Sequence, residues 1–169
     1  LLLMEEGTEE SMHMAQKTLE QMYRGGIFDH IGGGFCRYST DKKWLVPHFE
    51  KMLYDQALLL LAYAQGYVKT GRDLYIRVAD SIAEYVKREL THDKGAFFSS
   101  QDADSEGEEG KYYVFSKEEI LRLLGREEGQ AFCRRFDITD DGNFEGKSIP
   151  NRITDPAYSE KSSPVILKK

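Results

Sequence analysis

The stretch WLVPHFEKMLYDQ, residues 44–56, concentrates groups able to do chemistry: His48, Glu50, Lys51, Tyr54 and Asp55 fall within eight residues. An imidazole, two carboxylates, an ammonium and a phenol can move protons or hold hydroxyl groups. The apolar run that follows must be buried, and a carboxylate drawn toward it has to be paired or shifted in pKa. Asp55 is therefore a candidate for general acid/base work, with His48 beside it. The same residues also suit a hydrogen-bond network that locks a helical hairpin, and both readings stand. With a helix starting at Pro47, Lys51 lies one turn from Asp55 and can pair with it, and Glu50 lies one turn from Tyr54.

Two further groups supply candidates. The glycine-rich segment GGIFDHIGGGFCRYSTDKKW (residues 25–44) carries Asp29 and His30 before Gly32-Gly33-Gly34, and Arg37, Tyr38 and Trp44 after it. It lacks the spacing of a dinucleotide or P-loop phosphate cradle, so a tight turn that lets backbones approach is the expectation. Asp102 and Asp104 match the first positions of a calcium loop, but Tyr113 falls where a bidentate glutamate is required. Residues 137–142 fail the same test, with Ser148 at the twelfth position. No metal and no cofactor are expected. Asp102 and Asp104 are instead read as carboxylates pointing inward, next to a solvated acidic tip at 106–109. His13 and His92 are read as surface residues.

These groups need elements to hold them. Apolar residues at three- and four-residue steps predict a first helix over about 8–23, stopped by Gly25-Gly26 in the left-handed conformation. A second helix is expected over about 48–68; residues 57–64 are apolar on every side, which marks a helix buried all round. Gly71 ends it. A third, over about 73–90, shows one apolar stripe (Leu74, Tyr75, Val78, Ile82, Tyr85, Val86) opposite a charged face. Two strands are expected at 96–99 and 111–115. Ser116 and Glu119 form a capping box for a short helix to Leu124, and another helix covers about 127–136. The pattern is that of inner and outer helices in a layered helical assembly.

Composition narrows the classes. The chain has 169 residues, 40% of them hydrophobic, with ten Tyr and nine Phe, a globular rather than a disordered make-up. A net charge of −6 argues against nucleic-acid binding. No apolar run approaches the roughly 20 residues of a membrane span. Cys36 and Cys133 stand alone without a zinc or dithiol spacing, which fits a reducing, cytoplasmic setting. The chain begins without Met, and it reads as a piece of something longer.

Four blocks in order, GGIFDHIGGGFCRYSTDKKWLVPHFEKMLYDQALL, TGRDLYIRVADSIAEYVKREL, GAFFSSQDADSEGEEGKYYVFSKEEI and GNFEGKSIPN, resemble the YyaL-type proteins, also called the spermatogenesis-associated protein 20 family. The likeness runs from about residue 18 to 151. It implies a thioredoxin-like domain elsewhere and a helical domain similar to six-hairpin glycosidases and N-acylglucosamine 2-epimerases. The fold expectation is thus mainly α: residues 1–158 as the first part of an α/α toroid with short β-hairpins in its loops, then a loose segment, 159–169. It also implies a carbohydrate pocket. Asp55 with Asp102 or Asp104 would be the carboxylate pair of a hydrolase, and His30 or His48 the base of an epimerase. Trp44, Tyr38 and Tyr54 would stack on a sugar, with Arg37 and Glu50 holding its substituents. The alternative is a non-catalytic glycan- or protein-binding scaffold. The remaining hairpins, the thioredoxin-like domain or a second copy of the chain would cover the apolar flank of the second helix.

Overall fold

Six helices and three two-stranded antiparallel pairs make up the computed structural model, which describes residues 1–155. The fold is therefore mainly helical with small strand pairs. The expectation for 159–169 lies outside the described residues.

A short helix α1 (Leu2–Glu6) precedes α2 (Glu9–Arg24), which the Thr8 hydroxyl caps by accepting from the Ser11 N–H at 3.1 Å. Its stop differs from the sequence expectation. Gly25 is extended (φ −70°), not left-handed. Glycine is required there by proximity: a Cβ would lie 2.2 Å from the Trp44 carbonyl oxygen. The next strands, β1 (Tyr38–Ser39) and β2 (Pro47–His48), pair antiparallel.

The largest correction concerns the second long helix. It begins at Leu53, not at His48, as α3 (Leu53–Thr70). Pro47 and His48 lie in β2, and Lys51 and Met52 form β3 (Lys51–Met52), paired with β4 (Ser100–Gln101). Proline removes one donor but tolerates an edge strand as well as a helix start. Here backbone pairing from both sides holds the segment extended.

Gly71 and Arg72 turn the chain into α4 (Asp73–Glu89), which packs on α3, and α2 joins the hairpin through side-chain bonds such as Arg72 Nη2 to Glu20 Oε2 at 3.0 Å. Tyr63 donates its hydroxyl to the Leu19 carbonyl at 2.7 Å, and Gly66 leaves room for Tyr75 and Leu19. The buried stripe of α4 is as expected, with Leu74, Tyr75, Val78, Ile82 and Tyr85 in the core. The all-round apolar character of α3 leaves one flank uncovered in this segment, as expected of a helix whose remaining neighbours lie in further hairpins. Leu58, Leu61 and Val68 are 58%, 54% and 79% exposed, in line with exposed Tyr54. Only one side of α3 meets neighbours among the described residues.

The strands expected at 96–99 and 111–115 are also corrected. Phe97 and Phe98 are exposed, and Lys111–Tyr113 is a single 3-10 turn. A hairpin of β5 (Asp104–Ser105) and β6 (Glu108–Glu109) carries the solvated acidic tip. The capping box of Ser116 and Glu119 starts α5 (Lys117–Leu124), followed by α6 (Arg126–Phe136). These two helices organise a second, smaller apolar cluster around Ile120, Phe132 and Phe136.

Candidate functional site

Six of the sequence candidates meet on one face, brought together by strand register rather than helical spacing. The pairing of β1 with β2 sets Tyr38 opposite His48, and the two rings stack with centroids 5.2 Å apart. The Arg37 N–H donates to the Glu50 carbonyl at 2.8 Å, which aligns the side chains, and Arg37 Nη1 reaches Glu50 Oε2 at 3.2 Å. His48 Nδ1 lies 2.8 Å from Glu109 Oε1, while its Nε2 is 3.8 Å from Glu50 Oε2. The Tyr54 hydroxyl and Glu50 favour the charged form of Arg37.

Asp55 stands in the first turn of α3. Its Oδ2 is buried and has no hydrogen-bond partner among the described residues. Burial raises its pKa above the ordinary range; Arg37 opposes this and Glu50 adds to it. A carboxyl with a raised pKa and a free oxygen is suited to exchange a proton with a bound group. Asp55 does not pair with Lys51, as helical spacing would require.

The other candidates lie apart from this group. Asp102 and Asp104 are exposed, not inward, and Asp102 accepts from the Asp104 N–H at 3.2 Å. Trp44 is half-buried against the core. Asp41 accepts from the N–H groups of Lys43, Leu45 and Val46, and this tight loop forces Trp44 to φ 64°. His30 is buried among Tyr23, Phe28 and Phe136, and its Nε2 donates to the Gly25 carbonyl at 3.1 Å. Burial lowers its pKa to about 4, so the ring is neutral.

Lys51 lies in the interior, away from the expected pairing with Asp55. It is 1% exposed, and its Nζ donates to Asp29 Oδ2 at 2.8 Å and to the Gly33 carbonyl at 2.9 Å. The rings of Tyr85 and Tyr113 face it at 4.5 and 4.9 Å. Burial opposes the charge on Asp29, but Lys51 and the N–H groups of Gly32 and Ile31 hold its carboxyl below the usual 3.8. Burial pushes the Cys36 thiol up to about 12, which makes it a poor nucleophile. Asp29 and His30 also line a cavity of about 490 Å³ beside α5.

A human protein, spermatogenesis-associated protein 20, is 44% identical over 155 residues, covering 83% of this chain and 20% of its own length. The chain belongs to the spermatogenesis-associated protein 20 family. Its mouse relative of the same name is 43% identical over 156 residues, again 83% of this chain and 20% of the relative. An uncharacterised protein of Caenorhabditis elegans is 41% identical over 161 residues, 86% of this chain and 22% of the relative. The chain thus spans about a fifth of the length of the curated relatives it matches. No family model matches it. Among the described residues no helix is long and apolar enough to cross a membrane.

Within this family segment, the sequence reading missed two partners. Glu109 belongs to an exposed acidic run, and nothing in that run singles out the one member that meets His48. The Asp29–Lys51 pair joins residues 22 positions apart. Asp29 beside the glycine cluster was its single visible sign.

Proposed function

We propose that this segment is the opening part of an α/α-toroid domain that acts on a sugar, with Asp55 as the proton donor of a half-site completed by the rest of the protein. The observation that carries the reading is the buried, unpartnered Asp55 Oδ2 beside Arg37, Glu50 and the exposed ring of Tyr54. Arg37 and Glu50 offer donors and acceptors for hydroxyl groups, and the half-exposed Tyr38 ring offers a stacking face. A hydrolase needs a second carboxylate; Asp102 and Asp104 lie apart from Asp55, so in this reading it comes from the part of the site that the rest of the protein completes. Of the two histidines, His48 suits a base better than His30, whose Nε2 is committed to the Gly25 carbonyl. The exposed flank of α3 is where further hairpins, including those of the same protein, would pack. The buried, unbridged thiols of Cys36 and Cys133 suit a reducing cytoplasm.

A scaffold role is the second reading. It is favoured by the mutual satisfaction of Arg37, Glu50, His48 and Glu109, which leaves few free donors. The test is Asp55→Asn in the full-length protein, assayed for sugar binding by calorimetry and for turnover of aryl glycosides and N-acylhexosamines. The enzyme reading expects turnover to fall about a hundredfold or more while binding persists. Failure of the unaltered protein to bind or turn over any of these sugars favours the scaffold.

A further inference from the structure

The cavity of about 490 Å³ lies at the seam between the two apolar clusters. Phe28, Phe49 and Tyr113 line it from the main core, and Ile31, Ile120 and Phe132 from the α5–α6 side. It is separate from the group around Asp55, none of whose members line it. Its size falls in the range of small-molecule pockets, roughly 300–1,000 Å³.

The polar groups on its wall are not equivalent. Asp29 is spent on Lys51, and His30 is neutral. Lys111 is occupied by Glu106 at 2.8 Å. Glu119 is tied down by the capping box, where its Oε2 accepts from the Ser116 N–H at 2.8 Å. Arg122 and Lys147 also line the cavity, and among the described residues neither side chain makes a hydrogen bond or ion pair; the Ser116 N–H chiefly, with Lys147 and Arg122 adding to it, holds the Glu119 carboxyl below its usual range. The lining is therefore an apolar body with two available cations.

We propose that this cavity binds a small amphipathic carboxylate, its hydrocarbon part among Phe28, Ile31, Ile120 and Phe132 and its carboxylate against Arg122 and Lys147. The charge pattern selects an anion over an alcohol of the same length. The apolar lining excludes sugars, so this ligand differs in class from that of the Asp55 group.

The test is titration of the full-length protein with decanoate and, separately, with decanol, followed by calorimetry. Decanoate binds one to one, and more tightly than decanol. Arg122→Gln with Lys147→Gln weakens decanoate about tenfold, the sum of two partly exposed charge contacts, and leaves decanol unchanged. Ile31→Trp fills the cavity and abolishes binding of both. Circular dichroism of each variant shows that the fold persists, and Arg122 is exposed enough for its replacement to be tolerated. Absence of saturable decanoate binding, or decanoate binding that all three replacements leave unchanged, overturns the proposal.

Discussion

Lys51→Met isolates the energetic role of the buried ammonium. Methionine keeps most of the stem's volume and removes the charge. The replacement leaves Asp29, whose side chain is only 11% exposed, without its counter-ion, and it strips the Gly33 carbonyl of a donor. Breaking one side of a buried pair costs about 3–5 kcal/mol, and loss of the contacts to Tyr85 and Tyr113 adds to the upper half of that range. The expected loss is about 4 kcal/mol, read as a shift in the urea midpoint at constant slope. Adding Asp29→Asn keeps an acceptor for the Ile31 and Gly32 N–H groups while removing the orphaned charge, so the double variant recovers about 1–2 kcal/mol. The pH dependence has a defined sign. In the unaltered protein the Asp29 pKa is lowered, so its contribution is present above 3.8 and is lost as pH falls through the folded value. In Lys51→Met, burial is the largest remaining influence and raises that pKa, so acid relieves the cost. The gap between the two proteins therefore narrows from pH 7 toward pH 4. A loss below about 1 kcal/mol, or a gap that widens in acid, refutes the reading of Asp29–Lys51 as a stabilising buried ion pair.

His30 titrates in the fold at about 4 against an ordinary 6.5. Stability is thus lost as pH falls between those values, by up to about 3 kcal/mol, and the His30 ring proton signals in NMR should not move above pH 5. Gly34→Ala places a Cβ 2.5 Å from the Tyr85 ring at φ 76°, and should cost about 2–4 kcal/mol in urea unfolding. Leu58→Glu with Leu61→Glu should change the 169-residue segment by no more than about 0.5 kcal/mol, but destabilise the full-length protein by about 2 kcal/mol or more. Equal small effects in both would show that this flank of α3 is not covered.

Helices α2, α4, α5 and α6 are legible because periodicity and caps agree over two turns or more. The start of α3 is not, since a proline before an apolar run signals a helix start equally well. The two-residue strands around it are too short to show a period. The gathering of Arg37, Tyr38, His48, Glu50, Tyr54 and Asp55 was visible as local density of polar groups, but the helical reason for it was wrong. Register between β1 and β2 supplies the contacts, and register is a non-local property. The inward Asp102 and Asp104 failed for the same reason: their direction depends on a hairpin whose pairing leaves no pattern in six residues.

The end of α2 is tied to the last described residues. The Arg152 N–H donates to the Arg24 carbonyl at 2.7 Å, Arg24 Nε returns a bond to the Arg152 carbonyl across 128 residues, and Arg152 Nη1 reaches the Tyr23 hydroxyl. Closing a loop of that length costs about 4 kcal/mol in chain entropy. During synthesis, α2 must therefore wait for more than a hundred residues to leave the ribosome before its C-terminus is fastened. Until then the aromatic nest around His30 stands open, and that interval is when this segment is most exposed to chaperones and proteases.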